Sequence, residues 1–307
     1  MQKFYANGKL LLTGEYLVLD GAQALALPTK HGQGLVVEER KEKGLKWESY
    51  DEYGKCWFQH SYPHFNTKNE DAIVERLRLI MKAVQTLSPG FQHDHKVIST
   101  HLTFPKDWGL GTSSTLISLI SQWTQVDPYE LLQQTFGGSG YDIACATSDT
   151  PILYQLEKKE NTLIPKYQSV AFEPSFKKNL YFVHLGKKQN SRSEIKRYKA
   201  KPKNRIQAIE GITGITRQIQ NVNTLLSFEL LLKKHERIVA KQIDLPTIQS
   251  KHFDYYWGVI KSLGAWGGDF VLATSHKSYE ETKAYFNEKG FQTFLRYEEV
   301  ILEAPNA

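Results

Sequence analysis

Pro105-Lys106-Asp107-Trp108-Gly109-Leu110-Gly111-Thr112-Ser113-Ser114-Thr115 joins a strand pattern, Val97 to Phe104, to an apolar helical pattern running from about Ser113 to Trp123. Glycines at such a junction let backbone N–H groups turn inward and come close to an anion, because no Cβ stands in the way. The helix start behind them adds unpaired N–H donors and the positive end of its dipole. Thr112, Ser113 and Ser114 add hydroxyls suited to phosphate oxygens or a magnesium ion. The segment is not a Walker loop, since no Gly-Lys-Ser/Thr closes it. Nor is it a dinucleotide fingerprint, which needs a third glycine and a downstream acid. A glycine turn followed by a Ser/Thr helix cap is the other reading of the same residues.

Two further segments carry candidate chemistry. Ala6-Asn7-Gly8-Lys9-Leu10-Leu11-Leu12-Thr13-Gly14-Glu15-Tyr16 sets Lys9 and Glu15 at the ends of an apolar strand bounded by glycines. Lys9 either snorkels to solvent or, held in a cleft, stabilises a developing anion. Gly137-Gly138-Ser139-Gly140-Tyr141-Asp142-Ile143-Ala144 holds one carboxylate at a tightly specified place. Asp142 there is either a cap on a turn or a group that accepts or orients a proton.

The rest of the chain reads as alternating strands and helices. Leu10–Leu12, Tyr16–Leu19 and Gly34–Val37 have strand character, with a turn at Asp20-Gly21. Over 70–87 the spacing of Ile73, Leu77, Ile80, Met81, Val84 and Leu87 predicts an amphipathic helix. Asp127-Pro128 starts a second, short helix that Gly137-Gly138 ends. After about residue 170 the pattern restarts: a strand at Leu180–Leu185, helices over 204–226, 228–241 and 248–262, a strand at Phe270–Thr274, a helix near 277–288, and strands at Phe291–Tyr297 and Glu299–Leu302. This order suggests a split β-α-β layer, and with it two α+β domains, 1–170 and 171–307.

The 307 residues hold 40% hydrophobic and 23% charged side chains, enough apolar material for a core and no run of the length a membrane span needs. Met1–Ala6 leads straight into a strand pattern without a signal-peptide hydrophobic region. Cys56 and Cys145 form neither a disulfide framework nor a metal knuckle; both are expected as buried small side chains, in keeping with a reducing cytoplasm. The net charge of +6 is concentrated between Lys187 and Arg205, where Glu194 is the one acid. This run reads as a basic loop leading into a helix, either a solvated face or a phosphate-facing segment. Nucleic-acid binding is disfavoured because Tyr198 is its one aromatic residue.

Taken in order, these segments resemble the signature set of the GHMP kinases, the superfamily of galactokinase, homoserine kinase, mevalonate kinase and phosphomevalonate kinase. Gly109-Leu110-Gly111-Thr112-Ser113-Ser114 is similar to the family's G-L-G-S-S-A phosphate loop, and Ser139-Gly140-Tyr141-Asp142 to its S-G-x-D. Gly264-Ala265-Trp266-Gly267-Gly268-Asp269 resembles the C-terminal G-A-G-G-G loop. Gly14-Glu15-Tyr16, Gly138-Ser139-Gly140, Gly267-Gly268-Asp269 and the stretch Gly186–Ser193 resemble the phosphomevalonate kinase branch more than mevalonate kinase. The chain departs from the family at Asn7, where proline is usual, at Thr112 and Ser114, and at Trp266, where a glycine normally lets backbone approach the ligand.

The resemblance implies an α+β, two-domain fold: a ribosomal-protein-S5-like N-terminal domain and a ferredoxin-like C-terminal one. It implies ATP phosphates on Gly109, Leu110, Gly111, Thr112, Ser113 and Ser114, and Mg²⁺ assisted by Ser113 and Glu130. Glu130 enters because the family's metal carboxylate aligns near Leu131. Lys9 and Asp142 are the implied catalytic pair at the acceptor. Glu15, Ser139, Gly140, Lys187, Ser191, Arg192, Gly267 and Gly268 are the implied substrate contacts. The implied partners are ATP and a small hydroxylated or phosphorylated metabolite, phosphomevalonate first, with no nucleic acid and no membrane; a homodimer is compatible with the sequence. Mevalonate kinase, a sugar or sugar-phosphate kinase, and a catalytically silent binding protein of the same fold are the alternatives.

Overall fold

The computed structural model describes residues 1–160, 162–187, 191–200 and 204–303, without the side chains of Ser191 and Arg192. Its first half contains strands β1 (Gln2–Thr13), β2 (Ala24–Glu39), β3 (Leu45–Tyr50) and β4 (Cys56–Tyr62), helix α1 (Ala72–Leu87), strand β5 (Lys96–Leu102), and helices α2 (Thr112–Thr124), α3 (Pro128–Thr135) and α4 (Tyr141–Ala146). Strands β6 (Ile152–Lys159), β7 (Thr162–Ser169) and β8 (Leu180–His184) precede helices α5 (Ser191–Ala200), α6 (Ile206–Ile219), α7 (Leu225–Ile243) and α8 (Ile248–His252). The chain closes with β9 (Ile260–Leu263), β10 (Phe270–Thr274), α9 (Tyr279–Glu288), β11 (Phe294–Arg296) and α10 (Tyr297–Val300).

The chain divides into two compact units. The first comprises Met1–Gly8, His31–Lys106 and Leu110–Thr147; the second comprises Lys9–Lys30, Asp107–Gly109 and the described chain from Ser148 onward. In the first unit β2 pairs antiparallel with β5 over Gln33–Glu39, β5 runs parallel to β3, and β4 forms a hairpin with β3. Helices α1, α2, α3 and α4 pack on one another there, and a core built from residues such as Trp47, Leu77, Ile80, Ile120 and Leu131 fills the layer. Asp71 caps α1 by accepting from the amides of Ile73 and Val74 at 2.8 and 2.9 Å, and Asp127 caps α3 in the same way, with Pro128 at the first helical position. On α1 the buried stripe includes Val74, while Ile73, expected inside, is 42% exposed.

In the second unit β2 pairs with β6 over Ala24–Ala26, and β6 forms a hairpin with β7. A separate four-stranded antiparallel sheet has the order β11-β8-β10-β9. Counting its strands in chain order, this is the 4-1-3-2 arrangement of a ferredoxin-like layer, as expected. Aromatic residues fill its core, among them Tyr181, Phe253, Phe286 and Phe294, while α6 and α7 pack together around Ile212 and Val239 in a second cluster.

Four local expectations are corrected. Leu17–Asp20 is a 3-10 turn rather than a strand: Gly14 and Gly21 both take positive φ, and Leu17, Val18 and Leu19 are all buried instead of alternating. The helix expected over 248–262 ends at His252, and β9 begins at Ile260. Between them a Cβ on Gly258 would lie 2.0 Å from the Thr274 carbonyl oxygen, so the chain passes flush against β10. Tyr297–Val300 is a helical turn, not strand, because Glu299 accepts from the Arg296 amide at 2.6 Å and starts it. Cys56 lies exposed on β4, while Cys145 is buried as expected.

Candidate active site

In the first unit the phosphate-type turn leads into α2. Gly111 takes φ +100 as its N-cap, and no side chain caps the first turn. The Ser114 hydroxyl donates to the Gly111 carbonyl at 2.9 Å, and the Thr115 hydroxyl donates to Gln33 Oε1 at 2.7 Å. Thr112 Oγ1 is buried and has no hydrogen-bond partner among the described residues. Ser113 is exposed. An uncapped helix start beside an orphaned hydroxyl suits an anion with several oxygens. Helix α4, which packs against α2, begins at Gly140 with φ +83. Asp142 is half-buried in its first turn, and the Ile143 amide donates to Asp142 Oδ1 at 3.2 Å; Ser139 beside it is buried. Glu130 is exposed in the first turn of α3, whereas Leu131 belongs to the core.

For a divalent ion this offers an exposed hydroxyl at Ser113 and an exposed carboxylate at Glu130. Among the described residues no group of three or more His, Cys, Asp or Glu could hold a metal ion. Two separately exposed oxygen donors are the kind a magnesium ion takes while keeping most of its waters, not a cage for a resident metal.

In the second unit Lys9 Nζ donates to the Gly109 carbonyl at 3.2 Å. Gly109 has φ +70, and a Cβ there would lie 2.2 Å from Cγ of Asp269. Asp269, which the sequence offered only as a family marker, is therefore packed directly on Gly109, with φ +33 and 6% exposure. Its position comes from the Gly264–Asp269 loop, four of whose amides are engaged. Trp266 N–H donates to the Tyr16 hydroxyl at 2.8 Å, Gly267 N–H to Ser262 Oγ at 3.1 Å, Gly268 N–H to Ala265 O at 3.2 Å and Asp269 N–H to Lys187 O at 2.9 Å. The indole of Trp266 points into the α6–α7 cluster and its Nε1 donates to the Pro246 carbonyl at 2.9 Å. Lys187 is exposed. The side chains of Ser191 and Arg192, in the first turn of α5, lie outside those described.

Glu15 is 1% exposed and forms an ion pair with Lys261, on β9, which is wholly buried. His235 and Glu236, from α7, complete a cluster: His235 Nε2 is 3.2 Å from Glu15 Oε2, and Lys261 Nζ is 3.8 Å from Glu236 Oε1. The Gly14 amide donates to His235 Nε2 at 3.0 Å, which leaves the ring's proton on Nδ1. Burial holds His235 well below the ordinary imidazole range, with the Lys261 charge adding to it. Burial pushes the Glu236 carboxyl up to about 8 against the pull of Lys261, and raises Glu15 in the same sense. His235 and Glu236 lie in an unremarkable helical pattern, and Lys261 falls in the stretch expected as helix over 248–262, so no local signal marked the three.

No protein-family model and no curated protein sequence matches the chain. Solved structures do. A mevalonate kinase from Methanococcus jannaschii aligns with a TM-score of 0.67 at 16% identity, over 99% of this chain and 98% of that one. A Streptococcus pneumoniae phosphomevalonate kinase in complex with phosphomevalonate and AMPPNP gives 0.67 at 14% identity, over 96% and 100%. A Lactococcus lactis galactokinase complexed with galactose gives 0.65 at 13%, over 98% and 93%. Identities this low speak for architecture, and the strand orders above agree with it. The chain has the mixed α+β, two-domain fold of the GHMP kinases.

Proposed function

We propose that this protein is an ATP-dependent small-molecule kinase that transfers the γ-phosphoryl group to a mevalonate-pathway or sugar-type acceptor, with phosphomevalonate placed first. The reading is carried by one observation: the uncapped start of α2, with the buried Thr112 hydroxyl left without a partner, on a unit whose α4 presents Asp142. Backbone amides and the helix dipole there would take up the negative charge of the nucleotide's phosphates, with Ser113 and Ser114 beside them. Mg²⁺, when bound with the nucleotide, would offset phosphate charge, and Ser113 and Glu130 are the residues that would hold it.

In the transfer, an acceptor oxygen forms the new bond to the γ-phosphorus while the bond to the ADP oxygen breaks. Asp142 takes the acceptor's proton, where it has one, or orients the attacking oxygen. Lys9, whose Nζ donates to the Gly109 carbonyl, would offset charge that builds on the transferred group. Ser139, Gly140 and exposed Lys187 are proposed acceptor contacts, and the basic residues Arg197 and Lys199 of α5 support a phosphorylated acceptor. Gly267 and Gly268 would contact a ligand only after releasing the internal bonds their amides now make.

An ADP-release screen over mevalonate, phosphomevalonate, homoserine, sugars and sugar phosphates tests the proposal. Phosphomevalonate is expected to give the highest acceptor-dependent rate. Nucleotide binding by calorimetry without acceptor-dependent ADP release from any of them would instead establish a silent binding protein.

A further inference from the structure

The buried cluster of Glu15, His235, Glu236 and Lys261 grips the two segments that bring Lys9 and Asp269 to Gly109. On one side it holds the end of β1: Gly14 N–H donates to His235, and Glu15 pairs with Lys261. On the other it holds β9, where Lys261 Nζ donates to the Ser262 carbonyl at 2.7 Å and Ser262 N–H donates to Glu236 Oε2 at 3.3 Å. From these two anchors the chain runs directly to Gly109. Strand β1 carries Lys9, and the Ser262 hydroxyl fixes Gly267 in the loop that ends at Asp269. A strand in a sheet transmits a shift at one end to the other, because its dihedrals are set by the ladder.

The cluster is a poor device for stability alone. Four ionisable side chains out of water cost desolvation that well-packed apolar residues would avoid. Among the described residues Glu15 Oε2, His235 Nδ1 and Glu236 Oε1 are each buried without a hydrogen-bond partner, so even the polar network is incompletely satisfied. What such groups supply, and apolar ones do not, is a fixed register between the segments they join.

We propose that Lys261, Glu15, His235 and Glu236 are positioning residues that hold β1 and the Gly264–Asp269 loop in the one register that sets Lys9 and Asp269 against Gly109. This inference rests on the proposed kinase reading for its purpose. Its geometry can be tested without that reading.

The test is the charge-neutral double substitution Glu15→Gln/Lys261→Met in the full chain, with Glu236→Gln alongside. Three readouts are taken: melting temperature, the rate at which acetic anhydride labels the Lys9 amine as followed by mass spectrometry, and steady-state kinetics with the best acceptor of the screen. The expected result is near-normal melting of the double variant with Lys9 labelled severalfold faster. Turnover is expected to fall about 10²-fold, the effect of a misplacement near 1 Å, with KM for ATP little changed. Glu236→Gln should move labelling in the same direction by less. Unchanged Lys9 labelling in a double variant that melts normally would overturn the proposal. If the double variant does not fold, unchanged labelling in Glu236→Gln would overturn it equally, and faster labelling would uphold it. Labelling needs no acceptor, so an empty screen would remove the kinase reading and leave this inference standing.

Discussion

The two glycine-rich loops, Gly109–Thr115 and Gly264–Asp269, are alike in composition and opposite in state. The first opens into a helix start that no side chain caps and leaves a buried hydroxyl without a partner. The second spends the amides of Trp266, Gly267, Gly268 and Asp269 on Tyr16, Ser262, Ala265 and Lys187. Glycine content shows only that backbone can approach something closely. What it approaches depends on where the donors go: in the first loop the helix start is left uncapped, in the second they are spent on the protein.

The largest break in this contrast is expected from Lys261→Met alone. It leaves the Glu15 carboxyl buried without its cation, and removal of one member of a buried pair costs about 3–5 kcal/mol. Urea denaturation measures it; a loss below about 1 kcal/mol would show that Glu15 finds water instead. Asp142→Asn comes next, with turnover lowered about 10²-fold and ATP affinity from calorimetry nearly unchanged. Normal turnover would remove Asp142 from the chemistry.

Gly109→Ala probes the point where the loops touch. Its Cβ would collide with the Asp269 carboxyl at a positive φ, and strain of about 1–3 kcal/mol should appear as a lower melting temperature. No change would mean that Asp269 swings away freely. The pH dependence of stability sharpens the picture of the second loop's anchor. Glu236, raised in the folded state to about 8, binds more protons folded than unfolded, so its contribution is lost as pH rises through about 8. His235, held low, has the opposite sign and acts only below its ordinary value of 6.5. Stability should therefore decline between pH 6.5 and 8, and Glu236→Gln should flatten that decline in thermal melts. The smallest effect belongs to Thr112→Val. Removing a buried hydroxyl that lacks a partner should leave stability within about 1 kcal/mol while ATP binding weakens. A loss of stability with unaltered ATP affinity would assign Thr112 to the core.

Several features were legible in the chain because they are set within a few residues. The Asp127-Pro128 cap, the periodicity of 72–87 and the glycine turn before α2 depend on local dihedrals and local hydrogen bonds. Where a segment lacks such signals, reading failed. The buried run Leu17–Leu19 could not be told from a strand by pattern, and the chain between α8 and β9 is placed by how closely Gly258 meets Thr274. Trp266, which by family comparison would crowd a ligand site, instead lies among Tyr16, Tyr198 and Ile212.

By itself the sequence determined several helices, the Asp127-Pro128 cap and the glycine positions where backbone can come close to an anion. Tertiary structure alone decided that Glu15 meets Lys261 across 246 positions, that the Asp269 carboxyl rests on Gly109, and that one glycine loop is closed on itself while the other is not. The reason is range. Dihedral preference and capping act over about one helical turn, whereas the cost of burying a charge or an amide is settled by whichever distant segment arrives to pair with it.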